Sequence, residues 1–247
     1  MEKTYIYSDK GVGAQSFSRI RACLRLWGDG NRPVTPLSAA EVAEGKWRED
    51  ARLFVMPGGA STPYSEKLNG AGMENLRDYV RTGGSYLGVC AGAYFGASRT
   101  EFNKGRADGI ANDCQAGFFK GTAQGPALAC YDADSNAGCR AAEIVCKGKN
   151  FKVYYNGGGF FTADEGFTDY EIAARYAGTG KPAVVFLPYG AGRVVLSHVH
   201  FEFSSDDMDA SDVWQNPLKR ELADSESERK MLINMIADYL RTEGLPE

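Results

Sequence analysis

The chain has 247 residues, 43% of them hydrophobic and 24% charged, with a formal net charge of −4 at neutral pH. This length and composition suit one large globular domain or two small ones, and a single domain over residues 1–247 is the expectation. Dispersed Lys and Arg leave no basic stripe for nucleic acid, and no apolar run is long enough to span a membrane.

Met1 to Tyr7 enters a strand at Thr4 without an apolar signal region, so a cytoplasmic location is expected. Gly11-Val12-Gly13 invites a dinucleotide reading, which fails because Ser16 stands where the third glycine belongs. Phe17, Ile20, Leu24 and Trp27 recur at helical spacing up to Gly28-Asp29-Gly30. A strand near Pro33 to Leu37 and a helix over Ala39 to Glu44 follow. Leu53-Phe54-Val55-Met56 forms the next strand, broken by Pro57-Gly58-Gly59. Met73, Leu76 and Val80 mark a helix that ends at Gly83-Gly84, and another strand leads to Cys90. Alternation of strand and helix implies a mostly parallel sheet with helices on both faces, whose ligands bind beyond the C-terminal strand ends.

From about Phe118 the strands become shorter and are separated by Gly, Asn and Asp. Ala127 to Asp132 and Cys139 to Cys146 flank Ser135-Asn136-Ala137-Gly138 as a hairpin would. Further strands are expected at Phe151 to Tyr155, Ile172 to Tyr176, Ala183 to Leu187 and Arg193 to Val199, extending the same sheet antiparallel. Asp206 to Asp212 reads as a solvated acidic loop. Ser225 with Glu228 resembles a capping box for a last helix with a Met231, Leu232, Met235, Ile236, Tyr239, Leu240 stripe, closed by Gly244 and Pro246.

The chemistry centres on Gly88-Val89-Cys90-Ala91-Gly92. A thiol at a sharp strand-to-helix turn needs small neighbours, and the helix start behind it favours the thiolate. A nucleophilic thiol also needs a base, and His198 and His200 are the two histidines. If their strand continues, His198, His200 and Glu202 share one face, and spacing alone does not choose between the imidazoles. The backbone N–H groups of Ala91 and Gly59 are candidate oxyanion donors. Tyr154, Tyr155 and Asn156 before Gly157-Gly158-Gly159 are read either as a mobile aromatic wall beside the cleft or as a tight turn with aromatic core residues. Cys114, Cys130, Cys139 and Cys146 lack C-x-x-C spacing, so no metal site is expected. They fit reduced thiols in the cytoplasm or disulfides in an exported protein whose signal has been removed.

Taken in order, Met56-Pro57-Gly58-Gly59, the Cys90 elbow and His200-Phe201-Glu202 resemble the class I glutamine amidotransferase fold, a flavodoxin-like sheet. A closer resemblance is to the N-terminal domain of eukaryotic-type biotin–protein ligases and its free-standing relatives. It rests on Leu87 to Tyr94, Gly117 to Thr122 with Gly125-Pro126-Ala127, Val153 to Gly159, and Gly192 to Ser197, and spans residues 4–203. The resemblance implies Cys90 as nucleophile, His200 as base and Glu202 as its orienting carboxylate. Gly59 and Ala91 become the oxyanion donors, and Gly58, Tyr94, Tyr155, Asn156, Gly157 and His198 line a substrate pocket.

Two departures narrow the activity. Tyr94 replaces the glutamine that follows the nucleophile by four positions in glutamine-using enzymes, and the Gly-Arg-Gly motif of biotin ligases is missing. The expected activity is therefore cofactor-free hydrolysis of a small amide, ester or thioester, not glutamine hydrolysis or biotin ligation. The alternative is a non-catalytic ligand-sensing or interaction module that keeps the pocket and docks a small molecule or a protein partner.

Overall fold

In the computed structural model, which describes residues 3–27, 33–113, 115–128, 131–132 and 135–240, the first half of the chain alternates strand and helix. β1 (Lys3–Tyr7) leads into α1 (Ala14–Arg25), and β2 (Val34–Leu37) into α2 (Ala39–Glu44) and a 3-10 turn. β3 (Ala51–Met56) leads into α3 (Ser61–Leu68) and α4 (Ala71–Arg81), and β4 (Ser85–Val89) into α5 (Ala91–Gly96). The second half is mainly strand: β5 (Ala97–Phe102), β6 (Ile110–Asn112), β7 (Phe119–Gly125), β8 (Arg140–Cys146) and β9 (Lys149–Tyr155). After them come β10 (Phe160–Ala163), β11 (Glu171–Tyr176), β12 (Pro182–Tyr189), β13 (Gly192–Ser197), α6 (Leu218–Ala223) and α7 (Glu226–Tyr239).

Nine strands form the main sheet in the order β2-β1-β3-β4-β13-β12-β11-β8-β9. The pairings from β2 through β13 are parallel, and those from β13 through β9 are antiparallel. All five residues of β4 are buried, as expected of a parallel strand covered on both faces. One face packs Ile20 and Leu24 of α1 and Leu232 and Ile236 of α7 into a core; the other packs Tyr64 of α3, Leu76 of α4 and Phe95 of α5. The chain moves from β1 out to β2 and back across to β3, so a topological switch lies between β1 and β3. Here Gly13, just before α1, donates its N–H to the Gly58 carbonyl at 2.9 Å, bringing two strand ends together.

The expected antiparallel extension of the main sheet is present as β12, β11, β8 and β9 beyond β13. Other expectations are corrected. β5, β6, β7 and β10, which the sequence did not suggest as strands, form a separate four-stranded sheet. The hairpin lies one strand later than expected: β8 pairs with β9 across Lys147 and Gly148, whose φ values of 49° and 74° suit a primed two-residue turn. Ala127 and Leu128 are loop residues tied to the Gly158 carbonyl and the Tyr155 hydroxyl. α3 was not anticipated, because its apolar positions are too few to show a periodic stripe.

Ser225 precedes α7 but makes no side-chain cap; its hydroxyl accepts the Lys152 N–H at 2.9 Å. In α7 the buried stripe includes Ile233 and Ala237, while Met231, Met235 and Tyr239 are only partly buried. The predicted stops at Gly28-Asp29-Gly30, Gly244 and Pro246 lie outside the described residues, as do Cys114 and Cys130. Cys139 and Cys146 are buried free thiols. No helix of the described residues is long and apolar enough to cross a membrane.

Candidate active site

β4 ends at Val89 and α5 begins at Ala91, so Cys90 alone makes the turn, at φ 49° and ψ −105°. This is an uncommon conformation for a residue with a side chain and costs on the order of 1–3 kcal/mol. Neighbouring backbone holds it in place. Cys90 N–H donates to Ser197 O at 2.8 Å, and Gly92 N–H to Pro57 O at 3.1 Å. A Cβ on Gly88 would sit 2.3 Å from Gly92 O, and one on Gly92 only 2.1 Å from Met56 O, so both glycines are required by close approach. The Cys90 thiol, 7% exposed, donates to Asn156 O at 3.7 Å.

His200 and Glu202 reach this turn from β13, which pairs with β4 in parallel. The strand stops at Ser197, earlier than the sequence suggests, and His200 lies beyond it in an isolated bridge to Tyr154. His200 Nδ1 lies 2.8 Å from Glu202 Oε1, with Glu202 fully enclosed. Burial by itself would lower the His200 pKa. Attraction to Glu202 and Cys90, with side-chain hydrogen bonds to both, outweighs it and raises the value to about 10. On the far side, Ser16 Oγ accepts Gly58 N–H at 2.8 Å and donates to Glu202 Oε1 at 3.4 Å. Arg229 of α7 donates to Phe201 O at 2.7 Å and fixes the segment between the histidine and its carboxylate.

His198 is not on the same face as His200, because the strand alternation ends before it. The ring is fully buried against Tyr94 and Phe161, with centroids 4.5 and 4.3 Å away. Neither ring nitrogen has a partner among the described residues. Burial, and then the neighbouring His200, push its pKa down to about 3, so the imidazole is neutral.

Cys90 opens into a cavity of ≈ 580 Å³. The starts of α1 and α3 contribute Gln15, Ser16, Gly59 and Thr62. The second sheet contributes Thr100, Phe102 and Ile110, while Tyr94, Tyr131, Tyr154, Asn156, Gly157 and Phe203 complete much of the wall. Ala91 also lines it, and its N–H has no backbone acceptor among the described residues. In the Val12–Gly59 bridge the amides in use are those of Gly13 and Ala60, so the Gly59 N–H is left outside that pair. Gly59 and Ala91 both line the cavity that Cys90 opens into.

Of the expected pocket residues, Tyr94, Asn156 and Gly157 line the cavity; Gly58, Tyr155 and His198 do not. The Gly58 backbone instead packs against Ser16 and the His200 ring. Tyr155 points into the main core and donates to Gly158 O at 2.8 Å, and its neighbour Tyr154, on the opposite strand face, takes the cavity position. Tyr154, Asn156 and Gly157 form part of the cavity wall, and the glycine run behind them is closely packed: a Cβ on Gly158 would sit 1.8 Å from His198 O. Ser16 and Phe203 were missed. Ser16 carried a signal, the serine that spoils the glycine motif; Phe203 carried none.

Burial pushes the other described thiols up, Cys23 to about 12, with Cys139 and Cys146 also above the ordinary cysteine value.

A family profile described as "Biotin-protein ligase, N terminal" matches residues 2–245. The biotin–protein ligase of Schizosaccharomyces pombe is 33% identical over 179 residues, which cover 69% of this chain and 28% of that protein. An uncharacterised protein of Chlamydia muridarum is 35% identical over 215 residues, 82% of this chain and 81% of the other. Among solved structures, PurLQS from Thermotoga maritima superposes with a TM-score of 0.56 at 11% identity, covering 91% of this chain and 99% of that one. The cytoplasmic protein STM1381 of Salmonella typhimurium gives 0.53 at 15% identity, over 97% and 99%. The fold is the class I glutamine amidotransferase type, a mixed α/β sheet with helices on both faces.

Proposed function

Since the chain belongs to the biotin–protein ligase N-terminal family, of which it covers a short part of the yeast ligase's length, we propose that it is a cysteine-dependent hydrolase of small amides, esters or thioesters. The observation that carries this reading is the strained Cys90 turn beside the buried His200–Glu202 pair, with Cys90 and His200 lining one cavity. Glu202 would keep His200 oriented and charged, and His200 would hold the proton taken from the Cys90 thiol.

The sulfur forms a bond to the substrate carbonyl carbon, and the carbonyl electron pair moves onto oxygen, met by the amides of Ala91 and Gly59. Collapse of this adduct expels the amine, alcohol or thiol, which leaves with the proton from His200. Water then attacks the acyl-Cys90 thioester, giving its proton to His200. The acid departs and the thiol is restored. Glutamine is set aside as substrate, because the Tyr94 ring fills the position four residues past the nucleophile and its hydroxyl donates to Gly157 O at 3.1 Å.

The test is acyl trapping. Treated with a p-nitrophenyl ester, the protein should release a burst of nitrophenol and gain one acyl group on Cys90, with Cys90→Ala losing both. Slow modification spread evenly over Cys23, Cys90, Cys139 and Cys146 would leave the ligand-sensing module as the better account.

A further inference from the structure

The cavity around Cys90 has an unusual chemical bias. Apart from Cys90 and His200, its described lining residues include no Asp, Glu, Lys or Arg. Its aromatic surface is well braced: Tyr94 meets Phe102 edge-on at 5.8 Å, Phe102 meets Tyr131 at 5.4 Å, and Tyr154 stacks on Phe203 at 4.6 Å. Burial keeps the Tyr94 and Tyr154 phenols neutral. Away from His200 and Cys90, a free carboxylate or ammonium drawn into this space would lose water and find no side-chain counter-ion, a penalty that ordinary packing does not offset.

Resting on the hydrolase reading, we infer that the substrate is uncharged, its aromatic or branched apolar body packed among Tyr94, Phe102, Tyr131 and Phe203. The class excludes α-amino-acid amides with free ammonium and carboxylate groups.

The test uses three chloroacetamides that share one electrophile: N-benzyl, N-carboxymethyl and N-(2-aminoethyl). Each alkylates a thiol by displacing chloride, and rates at Cys90 are read by peptide mass spectrometry relative to rates with free cysteine. The N-benzyl probe should react at least about tenfold faster than either charged probe. Phe102→Ala should reduce that advantage. Ile110→Lys, at a half-exposed position on the cavity wall, should raise the carboxymethyl rate relative to the benzyl rate. Equal normalised rates, or preference for a charged probe, with labelling still confined to Cys90 would overturn the substrate class and leave the nucleophile standing. Failure of every probe to favour Cys90 over the other cysteines would overturn the hydrolase reading and the substrate class together.

Discussion

The Ser16 hydroxyl accepts the Gly58 N–H at 2.8 Å and thereby fixes the turn after β3 to the start of α1. The same oxygen carries a proton that reaches Glu202 Oε1 at 3.4 Å, so one small side chain links the proposed oxyanion loop to the carboxylate behind the base. Replacing it with alanine leaves a buried amide without an acceptor. Ser16→Ala is expected to cost about 1–2 kcal/mol of stability and to slow acyl transfer to Cys90 roughly tenfold through misplacement of the loop. Urea unfolding and burst kinetics on the same samples measure the two effects, and Ser16→Thr should recover part of both.

Glu202→Gln removes the charge that holds His200 protonated. In the parent protein the His200 pKa of about 10 lies above the ordinary histidine value of 6.5. Its contribution to stability is therefore complete below pH 6.5 and is lost as pH rises through 10. In the variant that alkaline loss should shrink, and imidazole NMR should show His200 titrating at lower pH. An unchanged titration would mean that Glu202 does not set the charge state of the ring.

His198 has the opposite sign. Its folded value of about 3 lies below the ordinary 6.5, so the unfolded chain binds more protons in that window and stability falls as the solution is acidified from 6.5 toward 3. His198→Leu removes the titration and two unpartnered ring nitrogens. It should make unfolding less sensitive to pH between 6.5 and 3, while Cys90 retains its lead in thiol labelling. Loss of that lead would place His198 in the chemistry.

Gly92→Ala tests the elbow. With Met56 O only 2.1 Å from the new methyl position, strand and helix must separate. The expected cost is about 3 kcal/mol, read by thermal unfolding, together with loss of selective Cys90 modification.

The parallel half of the sheet is legible in the sequence because its strands are continuous apolar runs ended by glycines, as at Leu53 to Gly59 and Ser85 to Cys90. The second sheet is not, since β5 and β7 meet through pairing between segments whose short alternating patterns fit either sheet equally well. Strand parity explains the exchange of Tyr155 for Tyr154: a one-residue choice reverses which ring faces the cavity, and neither composition nor spacing fixes it. His200 and Glu202 could be paired on paper by their separation of two. The isolation of His198 depends on where β13 stops, a boundary set by the bridge between His200 and Tyr154.

The hydrogen bond from Cys90 N–H to Ser197 O also has a meaning in time. β13 is inserted between β4 and β12, so the strained turn borrows its anchor from a strand made more than a hundred residues later. During synthesis from the N-terminus, the first four strands emerge with the thiol present but without this anchor and without His200 or Glu202. Such sequence-distant closure is slow relative to local helix formation. On the proposed reading, a nascent chain would lack the assembled site at Cys90 until its last third has docked, and chains truncated before β13 should carry an ordinary cysteine where the finished protein carries a strained turn.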